Sequence, residues 1–208
     1  VLKDQKINDD EQIEFSNRFG ELEKALEHDT LEGIRPEITR ISNIDSHNNI
    51  LPIDNKKVIY DRGNRAWHTD SSYKNIPSKI SILSAREIPK DGGGTEYIDA
   101  RHALENWDDS SIEVNLQDLK NEICEHSIVY SRMVNTGDIF DSNYKEKMPF
   151  VKQRLIRTHP ITKRSALYAG SHCSHIVGWD LDKSRKLIKK INNWIADAGS
   201  IVHHKWSN

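Results

Sequence analysis

The feature that most constrains the fold of this chain is the contrast between many short apolar segments and one long amphipathic helix. Residues 182–198 place Leu187, Ile191 and Ile195 on one helical stripe, and Gly199 ends it. Short β-strands are predicted at residues 38–44, 57–61, 79–88, 95–98, 126–130, 154–158 and 165–169. Many short strands with few long helices favour a β-sandwich or a β-barrel. The expected structure is therefore mainly β with flanking helices.

Three further helices complete this prediction. Residues 8–19 begin at Asn8, which has the type of an N-cap, and Glu11 stands at the capping-box spacing. Gly20 marks the end of that helix. Shorter helices are predicted at residues 101–107 and 110–123, whereas the stretch 21–55, apart from the strand at 38–44, and the stretch 133–150 carry no readable pattern.

Length and composition set modest bounds on function. The 208 residues suffice for one domain with a sizeable core, and their net charge of −2 gives no electrostatic reason to expect nucleic acid or an anionic membrane as a partner. No apolar run approaches the roughly 18 residues needed to span a bilayer. Cys124 and Cys173 are far apart in sequence, so we expect buried thiols in a cytoplasmic protein rather than a disulfide framework.

A candidate metal-binding pair lies in the segment AWHTDSSY, residues 66–73. His68 and Asp70 are two residues apart, and on a strand or an extended turn their side chains point the same way, so both can bind one metal ion. An imidazole, a carboxylate and a distant second histidine make up the facial triad of non-haem Fe(II) oxygenases. The pair alone also fits a hydrogen-bonded surface pair, or a zinc hydrolase that uses one of the later histidines.

Five blocks, in order along the chain, resemble the taurine dioxygenase family of Fe(II)- and 2-oxoglutarate-dependent oxygenases. They are FSNRFGEL at 15–22, NRAWHTDSSY at 64–73, LSA to GGTEY at 83–97, RTHP to LY at 157–168 and HKWSN at 204–208. Within the family, the two serines after Asp70 and the segment GSHCSH at 170–175 are most similar to the dichlorophenoxyacetate dioxygenase branch. The resemblance implies a double-stranded β-helix, or jelly-roll, core.

The resemblance also implies an activity. It points to Fe(II) and the cosubstrate 2-oxoglutarate, and to hydroxylation of a small organic acid with release of succinate and CO2. The acid is expected to be a sulfonate, an aryloxyalkanoate or a similar carboxylate. The implied partners are this small molecule and O2, with a homo-oligomer left open. The alternative that stays open is a non-catalytic jelly-roll protein that binds an organic acid.

The resemblance assigns roles to individual residues. His68 and Asp70 become catalytic metal ligands, and Thr95 becomes a residue that binds a carboxylate of 2-oxoglutarate. Four residues match positions near the primary substrate, each with a purely structural role left open: Asn64, Ser71, His28 and His159. The third metal ligand is not among the histidines of residues 172–204. It is expected after Asn208, together with an arginine for 2-oxoglutarate.

Both ends of the sequence suggest a piece of a longer polypeptide. The first residue is Val1, and residues 200–208 read as a strand that runs into a turn. We therefore expect residues 1–208 to be a single oxygenase domain, incomplete at both ends, that lacks its N-terminal start and its C-terminal strands. With two of three metal ligands, this piece by itself is expected to be inactive.

Overall fold

The computed structural model describes residues 1–24 and 35–207, which form a mixed structure of helices and short strands. Seven strands are described, all in antiparallel pairings: β1 (Thr95–Asp99), β2 (Ile123–His126), β3 (Val151–Arg154), β4 (Ile156–Thr158), β5 (Ser165–Leu167), β6 (Cys173–Ile176) and β7 (Ser200–His204). They lie in three small sheets of order β1-β7, β3-β2-β6 and β4-β5. The fold is thus less dominated by β-structure than the sequence suggested.

Helices account for most of the remaining regular structure. They are α1 (Asp9–Asn17), α2 (Lys56–Arg62), α3 (Ala100–Glu105), α4 (Asp109–Ile112), α5 (Leu116–Leu119), α6 (Ile128–Thr136), α7 (Ser142–Lys147) and α8 (Leu181–Ala198). A short 3-10 turn, Gly63–Arg65, directly follows α2. Within the described ranges, no helix is both long and apolar enough to cross a bilayer.

The core forms where α8 packs against β6 and α3. Ile191, Ile188 and Leu187 of α8 are buried, as the helical stripe predicted. Ser184 on the same helix accepts a hydrogen bond from the Ile176 N–H at 2.5 Å, which joins α8 to β6. Trp194 Nε1 donates to the Ala103 carbonyl at 2.8 Å and joins α8 to α3. The long helix therefore supports β6, the strand that directly follows part of the site described below.

Several predicted elements are confirmed. Helix α1 begins after Asn8, and the reciprocal hydrogen bonds between Asn8 and Glu11 form the expected capping box. Helix α8 and strands β1 and β5 match their predicted segments within two residues, and β7 begins the segment 200–208, which was predicted as a strand that runs into a turn. Both cysteines are buried and free, in agreement with the expectation of reduced thiols.

Other predicted elements are wrong, two of them because local capping outweighs the apolar pattern. Residues 57–61 lie in helix α2, since the Asn55 side chain accepts from the Lys57 N–H and opens a helix. Residues 126–130 contain a strand end followed by α6, which Ser127 caps by accepting from the Tyr130 N–H. Residues 79–88 contain no strand, and residues 38–44 contain only a single bridge. The segment 110–123 is split into α4 and α5, because Glu113 adopts a left-handed conformation with φ +63°.

Candidate metal site and its surroundings

His68 and Asp70 face each other, as their spacing predicts, but on a turn rather than a strand. The 3-10 turn Gly63–Arg65 brings the chain into this segment. His68 Nδ1 lies 2.8 Å from the Ala66 carbonyl oxygen, which can only accept, so Nδ1 carries the proton. The other ring nitrogen, Nε2, lies 3.2 Å from Asp70 Oδ1. The backbone therefore fixes the imidazole with Nε2 directed at the carboxylate.

This arrangement fits a pair of metal ligands. Two donor atoms bound at right angles to one ion, with bonds of about 2.1 Å, lie about 3.0 Å apart. The separation of His68 Nε2 and Asp70 Oδ1 is close to this value. A histidine that donates its other N–H to a backbone carbonyl is also the usual orientation of a metal-binding histidine. Residues 1–24 and 35–207 contain no group of three or more His, Cys, Asp or Glu side chains that could hold a metal ion.

The two side chains stabilise each other's charged forms. The hydrogen bond with Asp70 raises the pKa of His68 above its ordinary value, although partial burial opposes this effect. The same hydrogen bond with His68 lowers the pKa of Asp70 below its ordinary value. A cation placed between them would take the place of the proton that the pair otherwise shares.

A glycine and the long helix support the backbone of His68. Gly170 has φ +113°, and a Cβ at this position would lie 3.1 Å from the His68 Cα. Asn192 of α8 holds Gly170 from both sides, accepting from its N–H at 2.7 Å and donating to its carbonyl at 3.2 Å. The next residue, Ser171, donates its N–H to the Trp67 carbonyl at 2.8 Å. The position of the candidate ligand thus depends on packing between distant segments.

A buried, neutral histidine lies beside the pair. The His172 ring packs edge-on against His68 and Tyr73, with centroid distances of 5.5 and 4.9 Å. Its Nδ1 is buried without a hydrogen-bond partner in the described part of the chain. Burial lowers the pKa of His172 to about 3, and the charges of His68 and Arg132 add to this effect. The sequence predicted only that His172 is not the third ligand, and its place in the site required the fold.

A second buried histidine was missed by the sequence reasoning. His126 is fully buried at the end of β2, where its Nδ1 lies 3.1 Å from Ser72 Oγ. Its ring stacks on Tyr168, which in turn lies under the Arg157 guanidinium. Burial lowers the pKa of His126 to about 4, with a further contribution from Arg157. The sequence placed His126 only at the start of the predicted strand 126–130, which gives no indication of a site.

Asn64 and Ser71, both predicted near the substrate, lie on either side of His68 and Asp70 in the sequence. Asn64 is half-buried, and its Oδ1 accepts from Arg132 Nη2 at 2.6 Å. Ser71 is buried, with an unusual positive φ of 55°. The Ser71 hydroxyl donates to Glu23 Oε1 at 3.0 Å, and Lys74 Nζ lies 2.5 Å from the same oxygen. Burial alone would raise the pKa of Glu23, but these hydrogen bonds lower it.

The remaining predicted residues lie elsewhere. Thr95 begins β1, where its Oγ1 accepts from Trp206 Nε1 at 3.0 Å. His159 is exposed in the β4–β5 hairpin, and its Nδ1 accepts from the backbone N–H groups of the loop it opens. His28 lies outside the described residues. Of these three residues, Thr95 is therefore held by a hydrogen bond from a tryptophan, and His159 stabilises a turn.

A histidine nitrogen and a carboxylate oxygen lie 3.2 Å apart, a separation that two ligands of one metal ion can have, and the comparison with known proteins gives the class of the chain. Residues 1–208 match the family described as "Taurine catabolism dioxygenase TauD, TfdA family". The chain therefore belongs to the TauD/TfdA family of dioxygenases, which use Fe(II) and 2-oxoglutarate, and it is an enzyme of that class.

Individual relatives agree with this assignment. The chain is 30% identical to an alpha-ketoglutarate-dependent 2,4-dichlorophenoxyacetate dioxygenase of Burkholderia sp. strain RASC, over 99% of this chain and 69% of the relative. It is 28% identical to an (S)-phenoxypropionate/alpha-ketoglutarate-dioxygenase of Sphingobium herbicidovorans, over 100% of this chain and 69% of the relative.

Solved structures show the same relationship. The structure of AAD-2 in complex with Mn(II) and N-oxalylglycine matches with a TM-score of 0.84 and 32% identity, over 99% of this chain and 69% of that chain. A putative alpha-ketoglutarate dependent 2,4-D dioxygenase from Burkholderia xenovorans matches with a TM-score of 0.72 and 23% identity, over 99% of this chain and 67% of that chain. The second likeness shows the shared fold alone.

Proposed function

We propose that this dioxygenase hydroxylates a small organic acid, with His68 and Asp70 as two ligands of its Fe(II). The observation that carries the proposal is the 3.2 Å approach of His68 Nε2 to Asp70 Oδ1, with Nδ1 held by a carbonyl. When bound, Fe(II) and 2-oxoglutarate supply the oxidising chemistry, and the protein supplies orientation and exclusion of water. The Mn(II) bound in AAD-2 supports a divalent cation in this fold.

The substrate class follows from the relatives and from the charges around the site. Relatives act on 2,4-dichlorophenoxyacetate and (S)-phenoxypropionate, and a more distant one is a sulfate ester dioxygenase. Each of these names describes an anion of modest size. The buried cation of Arg132, next to Asn64, gives this chain a positive potential close to the metal pair. We therefore infer an aryloxyalkanoate, a sulfonate or a similar acid as substrate.

The other predicted roles are part of the same proposal. Thr95 binds a carboxylate of 2-oxoglutarate, and Asn64, Ser71, His28 and His159 contribute to the substrate side. The three small sheets belong to a double-stranded β-helix, in line with the likeness to AAD-2. Two free, buried thiols support the cytoplasm as the location.

Succinate formation tests the proposed activity. The natural polypeptide that contains this sequence is supplied with Fe(II), O2 and 2-oxoglutarate, together with 2,4-dichlorophenoxyacetate, (S)-2-phenoxypropionate, taurine or hexyl sulfate. We expect one or more of the four acids to be consumed in equal amount with succinate formed. Binding of an acid without succinate would favour the alternative of a non-catalytic binding protein.

Ligand variants test the two metal-binding residues. H68A and D70N are each expected to lower turnover by at least about 100-fold and to weaken Mn(II) binding measured by calorimetry. His175 provides a matched control, because its Nε2 also lies near a carboxylate, 3.6 Å from Glu125, but on strand β6. H175A should keep both properties. Unchanged Mn(II) affinity in H68A would contradict the assignment.

A further inference from the structure

Arg132 is a buried cation without an acidic partner in the described part of the chain. Its side chain belongs to helix α6, and the residue is only 3% exposed. The guanidinium lies 4.4 Å from the centroid of the Tyr60 ring, its Nε has no hydrogen-bond partner, and no ion pair to an acid is formed within residues 1–24 and 35–207. Because arginine keeps its charge at any physiological pH, burying it is costly unless the charge is paired or hydrogen-bonded.

The surrounding chain is shaped to admit this guanidinium. Gly63 opens the 3-10 turn, and a Cβ at this position would collide with the Arg132 side chain. Any other residue at Gly63 would therefore displace the guanidinium from the turn. The Tyr60 ring, one helical turn earlier, covers one of its faces. Helix α2 and the 3-10 turn thus form a cradle for Arg132 immediately before the metal-binding segment.

A direct hydrogen bond of this guanidinium, the one it makes to a described residue, decides how the Asn64 carboxamide is oriented. Arg132 Nη2 donates to Asn64 Oδ1 at 2.6 Å, a short, charge-assisted contact. A flipped carboxamide would bring two donors together, so only one orientation is favourable. The two N–H bonds of Asn64 Nδ2 are consequently directed away from Arg132. They form no hydrogen bond within the described residues and are available to a ligand.

We infer that Arg132 is a positioning residue, which holds the Asn64 carboxamide so that its N–H groups donate to the acid group of the primary substrate. This inference rests on the proposed function, in which Asn64 contacts that acid. Arg132 acts through Asn64 and is not itself a contact of the substrate. The fixed charge also polarises the carboxamide, which makes its N–H groups better donors.

Helix α6 is also linked to the segment that carries His68 and Asp70 by a second route, so the experiment needs a control. Ser131 Oγ donates to Ser171 Oγ at 3.0 Å, and the Ser171 N–H donates to the Trp67 carbonyl. A change in α6 can therefore disturb the site simply by loosening the helix. Arg185 is a matched control, because it lies 5.1 Å from the Tyr130 ring centroid and has a buried, unpartnered Nε, but has no hydrogen bond to Asn64.

The experiment is a double-mutant cycle in the natural polypeptide, with whichever of the four acids named above supports succinate formation. R132M and N64A are each expected to raise the KM and the Kd for that acid about tenfold, the effect of one lost hydrogen bond. The double variant should be no worse than N64A. The kcat, the KM for 2-oxoglutarate and the Mn(II) affinity should stay within about threefold. R132K, which can still donate to Asn64 Oδ1, should recover most of the loss.

The control and the alternatives give distinct results. R185M should lower the thermal midpoint without changing the KM for the acid. If R132M also leaves the KM for the acid unchanged, or if N64A leaves that KM unchanged, the inference is overturned. Additive effects in N64A/R132M would also overturn it, because Arg132 would then bind the acid directly. Should R132M not fold, R132L and N64A/R132L complete the same cycle, because leucine also removes the donor to Asn64. No succinate from the wild type with any of the four acids would instead refute the proposed function.

Discussion

Gly170 contributes both to the stability of the fold and to the position of His68 relative to Asp70. Replacing Gly170 by alanine allows the two contributions to be measured separately. At φ +113° an alanine is strained, at a cost of about 1–2 kcal/mol. The added Cβ would also lie 3.1 Å from the His68 Cα and 3.3 Å from the Trp67 carbonyl oxygen. Both neighbours are backbone, and Asn192 prevents Gly170 from moving away. Overpacking of this kind costs about a further 1–3 kcal/mol.

The matched control is Gly178, which has φ +83° and no heavy atom within 4 Å of the position that an added Cβ would take. G178A should therefore lower the free energy of unfolding by about 1–2 kcal/mol from backbone strain alone. G170A should lower it by about 2–5 kcal/mol. Urea denaturation of the metal-free protein, with chelator present, measures both values on the same scale.

Metal binding gives the second readout. G170A shifts the backbone of His68 by a few tenths of an ångström, so Mn(II) affinity measured by calorimetry should fall about tenfold, as for other supporting residues of metal ligands. G178A should leave Mn(II) affinity unchanged. Equal losses of stability in the two variants, with wild-type Mn(II) affinity in G170A, would refute the idea that Gly170 sets the position of His68.

Three further predictions concern separate parts of the molecule. His126 stays neutral in the folded protein with a pKa of about 4, so only the unfolded chain takes up its proton as the pH falls below 6.5. Between pH 7 and pH 4, H126Q should therefore lose about 3 kcal/mol less stability than the wild type, as measured by urea denaturation. The same loss of stability in both proteins would contradict this. I191A, at a fully buried position, should cost about 2–5 kcal/mol, whereas I161A, at a position 78% exposed, should cost less than about 0.5 kcal/mol in the same assay. T95V should raise the KM for 2-oxoglutarate about tenfold in the succinate assay, and T158V, which removes an exposed hydroxyl on β4, should not.

The sequence alone determined those features that depend on neighbours along the chain. The capping box of α1, the apolar stripe of α8 and the facing pair of His68 and Asp70 all follow from spacings of two to four residues, which fix side-chain directions locally. The family, with its Fe(II) and 2-oxoglutarate, was also readable from five ordered motifs and was confirmed by the match over residues 1–208. The segment 57–61 was misread because its apolar residues fit either a strand or a helix, and the cap at Asn55 chose the helix.

Only the tertiary structure decided what surrounds the metal pair. His172, His126 and Arg132 lie between 50 and 110 residues along the chain from His68, and nothing local marks them as neighbours of a site. Their properties also arise from burial. The two imidazoles, at 0–3% exposure, stay neutral, and the buried guanidinium of Arg132 donates a hydrogen bond to Asn64. Short-range spacing therefore gave the facing pair of His68 and Asp70, while packing between distant segments set its surroundings, since burial is a property that no stretch of sequence has by itself.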